Sequence, residues 1–308
     1  MFRLQTRRFH ASATRQFDLG ALLEPVHSAV QAAQAYSGLS WHYMIPLATL
    51  AVRATTTLPV AIANRKRAQK QAELQPVLSA MTPILRARLA MASGKNSRGV
   101  TLTSEQISVL ATKERRRRRV ELFRKYRCQA WKSIVLLPAV QMPLWIALSL
   151  VFRSMCGWSG SIGSSIPLEQ AFNSDAFLWC TDLVSPDPYG ALPILVGILG
   201  MANIEWNAIN VMNRAAAPTS TASVAAAATQ GPSVPRIVAN ISRVAVMGFT
   251  TMAFQAPVAV CLYWVSSSSF SLLQNLAFDR WLPLQPYTPR PPTTEFNFSH
   301  GLSSLPSK

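Results

Sequence analysis

Apolar and polar stretches alternate along the chain, and the apolar ones form five blocks: about 43–64, 132–152, 189–206, 237–254 and 258–278. At ~1.5 Å per residue a helix of this length is matched to a ~30 Å hydrocarbon layer, so five membrane-spanning helices are predicted. The first block stops abruptly at Arg65-Lys66-Arg67, and Gln255-Ala256-Pro257 makes a tight return between the last two. Pro138 and Pro143 fall inside the second block.

The polar stretches carry their own patterns. Residues 17–40 are Ala/Gln-rich and amphipathic, which predicts a helix at the membrane surface. Between spans one and two, Leu74, Leu78, Met81, Leu85 and Leu89 recur at helical spacing. Pro76 and Pro83 are expected to bend or break that helix. A turn at 93–99 follows, and Thr103 with Gln106 forms a capping-box pattern that opens a second helix. Its Arg115–Arg119 run leaves it weakly amphipathic. Segment 65–131 therefore reads as a helical hairpin outside the membrane. Residues 214–235 (Ala, Ser, Thr, Pro) read as a flexible linker, and the Pro-rich tail 281–308 as lacking stable structure.

Composition supports a lipid environment: 49% of residues are hydrophobic and only 14% charged, with positive mean hydropathy. The net charge of +17 admits nucleic acid, anionic lipid or a compartment-facing bias as its cause. Its distribution discriminates. Segment 65–132 holds 18 Lys/Arg against 4 Asp/Glu, whereas the 153–189 loop has Arg153 against Glu169, Asp175, Asp182 and Asp187. Positively charged loops stay on the inner side. Segment 65–132, the linker and the C-terminus then share one compartment, and the N-terminal segment and the 153–189 loop share the other. Nucleic-acid binding is not needed to explain the charge. The Arg115–Arg119 run admits contact with cardiolipin or a ribosome, or a merely solvated basic face.

The first 16 residues contain Arg3, Arg7, Arg8 and Arg15 with several Ser and Thr and no acid, the composition of a mitochondrial presequence. Arg7-Arg8-Phe9-His10-Ala11-Ser12 resembles a two-step cleavage pattern that would leave Phe17 as the mature N-terminus. The inner compartment is then the matrix. Cys128, Cys156, Cys180 and Cys261 fit no metal-site spacing; a Cys156–Cys180 disulfide in the outer loop is left open. His10, His27, His42 and His300 are scattered, and no HExxH, P-loop, GxGxxG or GxSxG pattern occurs, so neither enzymatic chemistry nor a cofactor or metal is expected.

Arg53 is the sharpest feature. A charge at mid-bilayer costs ~2.5–3.5 kcal/mol or more, so it must face water or a partner. Helical spacing places Thr49, Thr56 and Thr57 on its face. Gln141, Asn203, Asn207, Thr250 with Thr251, and Ser266–Ser269 supply polar groups from the other spans, which together predict a hydrophilic groove. A structural ion pair is the alternative, but Glu205, the only nearby acid within a span, lies near a span end. Trp41, Tyr43 and Trp281 read as interfacial anchors.

Arg53 followed by Leu58-Pro59, then Leu74-Gln75-Pro76, Pro138, Gln141-Met142-Pro143, Thr181-Asp182-Leu183, Asp187-Pro188-Tyr189, Leu192-Pro193 and Leu262-Tyr263-Trp264 recur here in order. In this order they resemble the YidC/Oxa/Alb insertases over about residues 40–280. Pro59, six residues after Arg53, and the short, weakly charged tail are similar to the mitochondrial branch that assembles cytochrome c oxidase. The resemblance implies an all-α membrane protein with a five-span insertase core (41–280) and a matrix-side helical hairpin. It implies a hydrated groove around Arg53, closed on the outer side. It also implies an apolar slide for incoming helices on the outer faces of spans two and five, with Met142, Trp145, Leu262 and Trp264.

The implied location is the inner membrane, N-terminus in the intermembrane space and C-terminus in the matrix. Implied partners are inner-membrane lipid, newly made membrane proteins, above all oxidase subunit 2, and its assembly chaperones. A general co-translational insertase, a non-translocating assembly scaffold and a small-solute carrier are the alternatives; the lack of internal repeats counts against the carrier.

Overall fold

The computed structural model describes residues 19–95, 103–158, 166–215 and 234–284. The presequence, most of the hairpin turn, residues 216–233 of the linker and the tail from residue 285 lie outside the described residues. The elements in chain order are α1 (Leu19–Ser37), α2 (Trp41–Val52), a π-turn (Arg53–Thr57), α3 (Leu58–Glu73), α4 (Gln75–Lys95), α5 (Ser104–Lys125) and α6 (Ala130–Met155). A short 3-10 turn (Gln170–Asn173), α7 (Ala191–Ala215), α8 (Val234–Ala253) and α9 (Val258–Trp281) complete the fold.

Three helical stretches are long and apolar enough to cross a membrane: Trp41–Ala92, Trp131–Met155 and Ala191–Asn210. α8 and α9 have the length, at 20 and 24 residues, but not the same composition. α8 carries Arg236, Asn240 and Arg243; α9 carries Ser266 to Ser269, Asn275 and Asp279.

Pro76 sits at the second position of α4, where no N–H is required. The predicted break at Pro83 does not occur. Pro83 is exposed within α4, where water can satisfy the carbonyl that loses its partner. The capping box forms: Thr103 accepts from the Gln106 N–H at 3.4 Å, and Gln106 Oε1 accepts from the Thr103 N–H at 3.1 Å. Arg118 contacts Glu114 at 3.0 Å one turn back and Glu121 at 3.5 Å, which supports α5 through its basic run. Leu78, Phe123 and Cys128 join α4 to the end of α5 in a small apolar cluster.

The main core lies at one end of the bundle. α6 contributes Leu148, Val151, Phe152 and Met155, α9 the whole run Val258–Trp264, and α1 and α2 contribute Leu23, Trp41 and Ile45. Beyond Trp264, α9 is partly buried or exposed except at Ser267. The bundle is thus packed shut where the 166–190 loop covers it and looser at the opposite end. Trp41, expected at the interface, is instead buried edge-on against Phe172 at 5.2 Å; Tyr43 and Trp281 are exposed.

Two aspartates hold the covering loop. Asp182 accepts from the Val184 and Ser185 N–H groups at 3.0 and 2.6 Å. Asp187 accepts from Trp179 Nε1 (2.8 Å) and from the N–H groups of Tyr189 (3.0 Å) and Leu192 (2.8 Å), the last at the start of α7. Gly190 closes this turn at φ +67°, with Phe254 so near that an added Cβ would lie 2.5 Å from its ring. The loop then pairs with the start of α9 through Val258 N–H to Ser185 O and Ala259 N–H to Leu183 O. Asp175 binds both the backbone N–H and Nδ1 of His42, tying the loop to α2. All four cysteines are free and buried, so Cys156 and Cys180 are not bridged. Burial, followed by Asp187 and Asp182, pushes the Cys180 thiol up to about 11.

Candidate functional site

The site begins at the π-turn. Pro59 has no N–H for the Thr55 carbonyl, and the helix widens there, with the Leu58 N–H reaching back to Arg53 O. Thr57 and Thr49 fold their hydroxyls onto Arg53 O (2.9 Å) and Ile45 O (2.7 Å), and both are buried. The extra residue shifts the face. Thr56, predicted to share it, is exposed and bonds Val52 O at 2.6 Å.

Arg53 is 6% exposed, and its contacts are with α9. Nη1 donates to Ser267 O and Ser271 Oγ, both at 2.6 Å, and the guanidinium lies 5.5 Å from the Phe270 ring centroid. Arginine has five N–H donors. The two on Nη1 are used; those on Nε and Nη2 have no partner among the described residues. No carboxylate among the described residues pairs with Arg53; Glu205 is held by Arg243 at 2.6 Å between α7 and α8, and Asp279 by Arg65.

From Arg53 a polar track runs along α9. Ser267, Ser271, Asn275 and Asp279 follow one another at four-residue spacing, which puts them on one helix face. Asn203 of α7 donates to Ser268 O (3.0 Å) and accepts from Asn275 (3.4 Å). Trp206 and Asn210, further along α7, donate to Asp279 Oδ2 at 2.8 and 3.4 Å. Arg65 of α3 binds the other Asp279 oxygen and the carbonyl of Leu282 at 2.9 Å. Sequence reasoning did not pick out Ser271, Asn275, Asp279, Trp206, Asn210 or Arg65. The four-residue period in α9 was the available signal, masked by the denser Ser266–Ser269 run.

Other predicted groove residues are placed elsewhere. Asn207 is exposed and bonds back to Asn203 O at 2.7 Å. Thr250 packs on Gly197 in the α7–α8 contact, with its hydroxyl on Val246 O at 2.8 Å. Ser266 is partly buried and its hydroxyl is turned onto Leu262 O at 2.7 Å; it is the backbone carbonyl of its neighbour Ser267 that meets Arg53. Gln141 is half-buried on α6, which packs against α3 and the π-turn.

The predicted slide divides. Met142 is exposed on α6 together with Val135 and Ile146, forming one apolar stripe. Leu262 and Trp264 do not face outward: they are 4% and 3% exposed. The reason is a polar anchor. Trp264 Nε1 donates to Ser149 Oγ at 3.1 Å, which draws the indole inward, where it packs against Phe249 (4.5 Å) and Trp145 (6.2 Å). Trp145 is half-buried in this cluster. A separate apolar cleft of about 540 Å³ lies between α1, α2 and α6, lined by side chains such as Val26, Val30, Leu47 and Leu144.

The family described as 60Kd inner membrane protein matches residues 106–285. The chain is 31% identical to the cytochrome c oxidase assembly protein COX18 of Saccharomyces cerevisiae, over 92% of this chain and 93% of that one. It is 28% identical to the human protein of the same name, over 79% of this chain and 66% of that one. Similarity extends to the mitochondrial inner membrane protein OXA1 of Arabidopsis thaliana, at 24% identity over 88% of this chain and 51% of that one.

Proposed function

The chain belongs to the 60Kd inner membrane protein (YidC/Oxa1) family of membrane insertases, and on that premise we propose that it moves polar segments of newly made proteins across the mitochondrial inner membrane. The client we assign is the C-terminal domain of cytochrome c oxidase subunit 2. The similarity to oxidase assembly proteins supports that choice.

The observation that carries the reading is a buried Arg53 with no carboxylate beside it among the described residues. Charge acts over a longer range in a low-dielectric setting than in water. A client carboxylate entering the bundle would exchange hydration for the uncommitted Nε and Nη2 donors. Ser271, Asn203 and Asn275 would take over other lost hydrogen bonds along the track. The exposed Met142 stripe on α6 offers an apolar surface for the client's helix.

We place five spans across the inner membrane. The basic 65–132 segment faces the matrix, and the acidic 166–190 loop faces the intermembrane space. The packed end of the bundle then seals the outer side, and the looser end admits clients from the matrix. Translocation is driven by partitioning and membrane potential.

Protease protection in mitoplasts lacking the protein tests the substrate. The C-terminal domain of newly made subunit 2 is expected to stay protected on the matrix side while other mitochondrial translation products insert. Normal exposure of that domain would refute the assignment.

A further inference from the structure

Two arginines, Arg53 within the first span and Arg65 just past its end, meet α9 in opposite electrostatic states. Arg53 binds a neutral carbonyl and a neutral hydroxyl. Arg65, about 18 Å further along a helix of this rise, binds the carbonyls of Phe278 and Leu282 and also the carboxylate of Asp279. The Arg65 and Asp279 side chains are 11% and 29% exposed. Trp206 and Asn210 hold the second carboxylate oxygen, so the acid is fixed from α7 as well.

An acid is not required to hold α3 to α9 here. The Phe278 and Leu282 carbonyls already bond Arg65 to the end of α9, and Gln69 adds a bond to Pro283 O at 3.1 Å. A partly buried ion pair is in any case a weak source of stability. What a carboxylate does and a carbonyl does not is cancel the charge.

We propose that Asp279 is a resident counter-charge that neutralises Arg65 at the inner mouth of the track, so that a client carboxylate passes on to Arg53. The proposal rests on the groove reading above. A client coming from the matrix meets the Arg65 level first. An uncompensated guanidinium there would bind its carboxylate and hold it short of Arg53. With Asp279 in place, Arg53 carries the one uncompensated charge on the described part of the track. Trp206 and Asn210 act as positioning residues that keep the Asp279 carboxylate on Arg65.

The test uses the full-length protein in proteoliposomes of neutral phospholipid. Two single-span clients differ in one residue of the translocated segment, Asp in one and Asn in the other. Asp279→Asn is expected to lower translocation of the Asp client relative to its Asn twin by about fivefold, the scale of one partly screened ion pair. Asp279→Glu should keep the wild-type ratio. Adding Arg65→Gln to Asp279→Asn should restore it, which a merely structural tie would not do. The proposal is overturned if Asp279→Asn lowers both clients alike, or if the double variant leaves the ratio depressed. Arg53→Gln is the control for the underlying reading. If it affects both clients equally, the groove reading fails and takes this proposal with it.

Discussion

Arg53→Gln is expected to reduce export of the oxidase subunit 2 domain by about tenfold or more while the protein stays at its normal level in the membrane. Glutamine keeps an amide donor, two bonds short of the Nη1 that reaches Ser267 O and Ser271 Oγ, and removes the charge. Two unit charges at ~4 Å attract by ~4 kcal/mol at an effective dielectric of ~20. Losing a third to a half of that, about 1.4–2 kcal/mol, amounts to roughly ten- to thirtyfold in rate. Stability should not suffer, because removing a buried, uncompensated charge also removes its desolvation cost. Arg53→Lys should keep part of the activity, since it supplies a point charge without the guanidinium fork. Protease protection of subunit 2 with immunoblotting of the variant measures both quantities. Normal export at a normal level would refute a role for the Arg53 charge.

Asp187→Ala is the second large effect. It leaves the Trp179 indole and the Tyr189 and Leu192 N–H groups without their acceptor at the packed end of the bundle. The expected cost is about 2 kcal/mol, because the buried Leu192 N–H keeps its desolvation penalty once stranded, whereas the Trp179 and Tyr189 donors are partly open to solvent. A lower unfolding temperature in detergent and faster proteolysis in the 166–190 loop should accompany it.

Acid should imitate part of this effect. Burial opposes ionisation of Asp187, but the Leu192, Trp179, Tyr189 and Gly190 N–H groups outweigh it and hold the carboxyl below its usual range. Asp182 behaves likewise: burial opposes its charge, and the groups of Ser185, Val184 and Thr181 prevail. A carboxyl whose folded pKa is depressed stabilises fully above its unfolded value, about 3.9, and that stability is lost as pH falls through the folded value. The unfolding temperature should therefore respond little to these two groups down to about pH 5 and fall below about pH 4. A wild-type curve that is already steep between neutrality and about pH 5 would contradict this assignment.

Much of the helical framework was legible because hydrophobic runs report burial in lipid or in a core directly. The second block reappears as α6 and the third as α7, and the Thr103 capping box starts α5 where its spacing indicated. The site was legible in kind rather than in register. Arg53 stood out because a lone charge in an apolar run is costly. Which threonines accompany it depended on the π-turn before Pro59, and simple helical periodicity cannot count that extra residue.

The direction faced by an apolar aromatic was not legible at all. Trp264 turns inward for the hydroxyl of Ser149, a residue 115 positions away. Asn203 and Asn207 look alike in sequence, yet only Asn203 meets α9, because helix rotation is set by the Gly197 and Gly200 contacts with α8. The aspartates of Thr181-Asp182-Leu183 and Asp187-Pro188-Tyr189 bind the loop and the start of α7, a role that becomes visible only when the backbone N–H groups are placed.

The most direct test of the central claim is site-specific photo-cross-linking to a client arrested midway through translocation. Probes at Ser271 and Asn203 face the track, and a probe at Ile241 lies on an exposed apolar face of α8. The client's polar segment is expected to cross-link from 271 and 203 and not from 241. Cross-links from 241 with none from 271 or 203 would place the client's path outside the track and contradict the account.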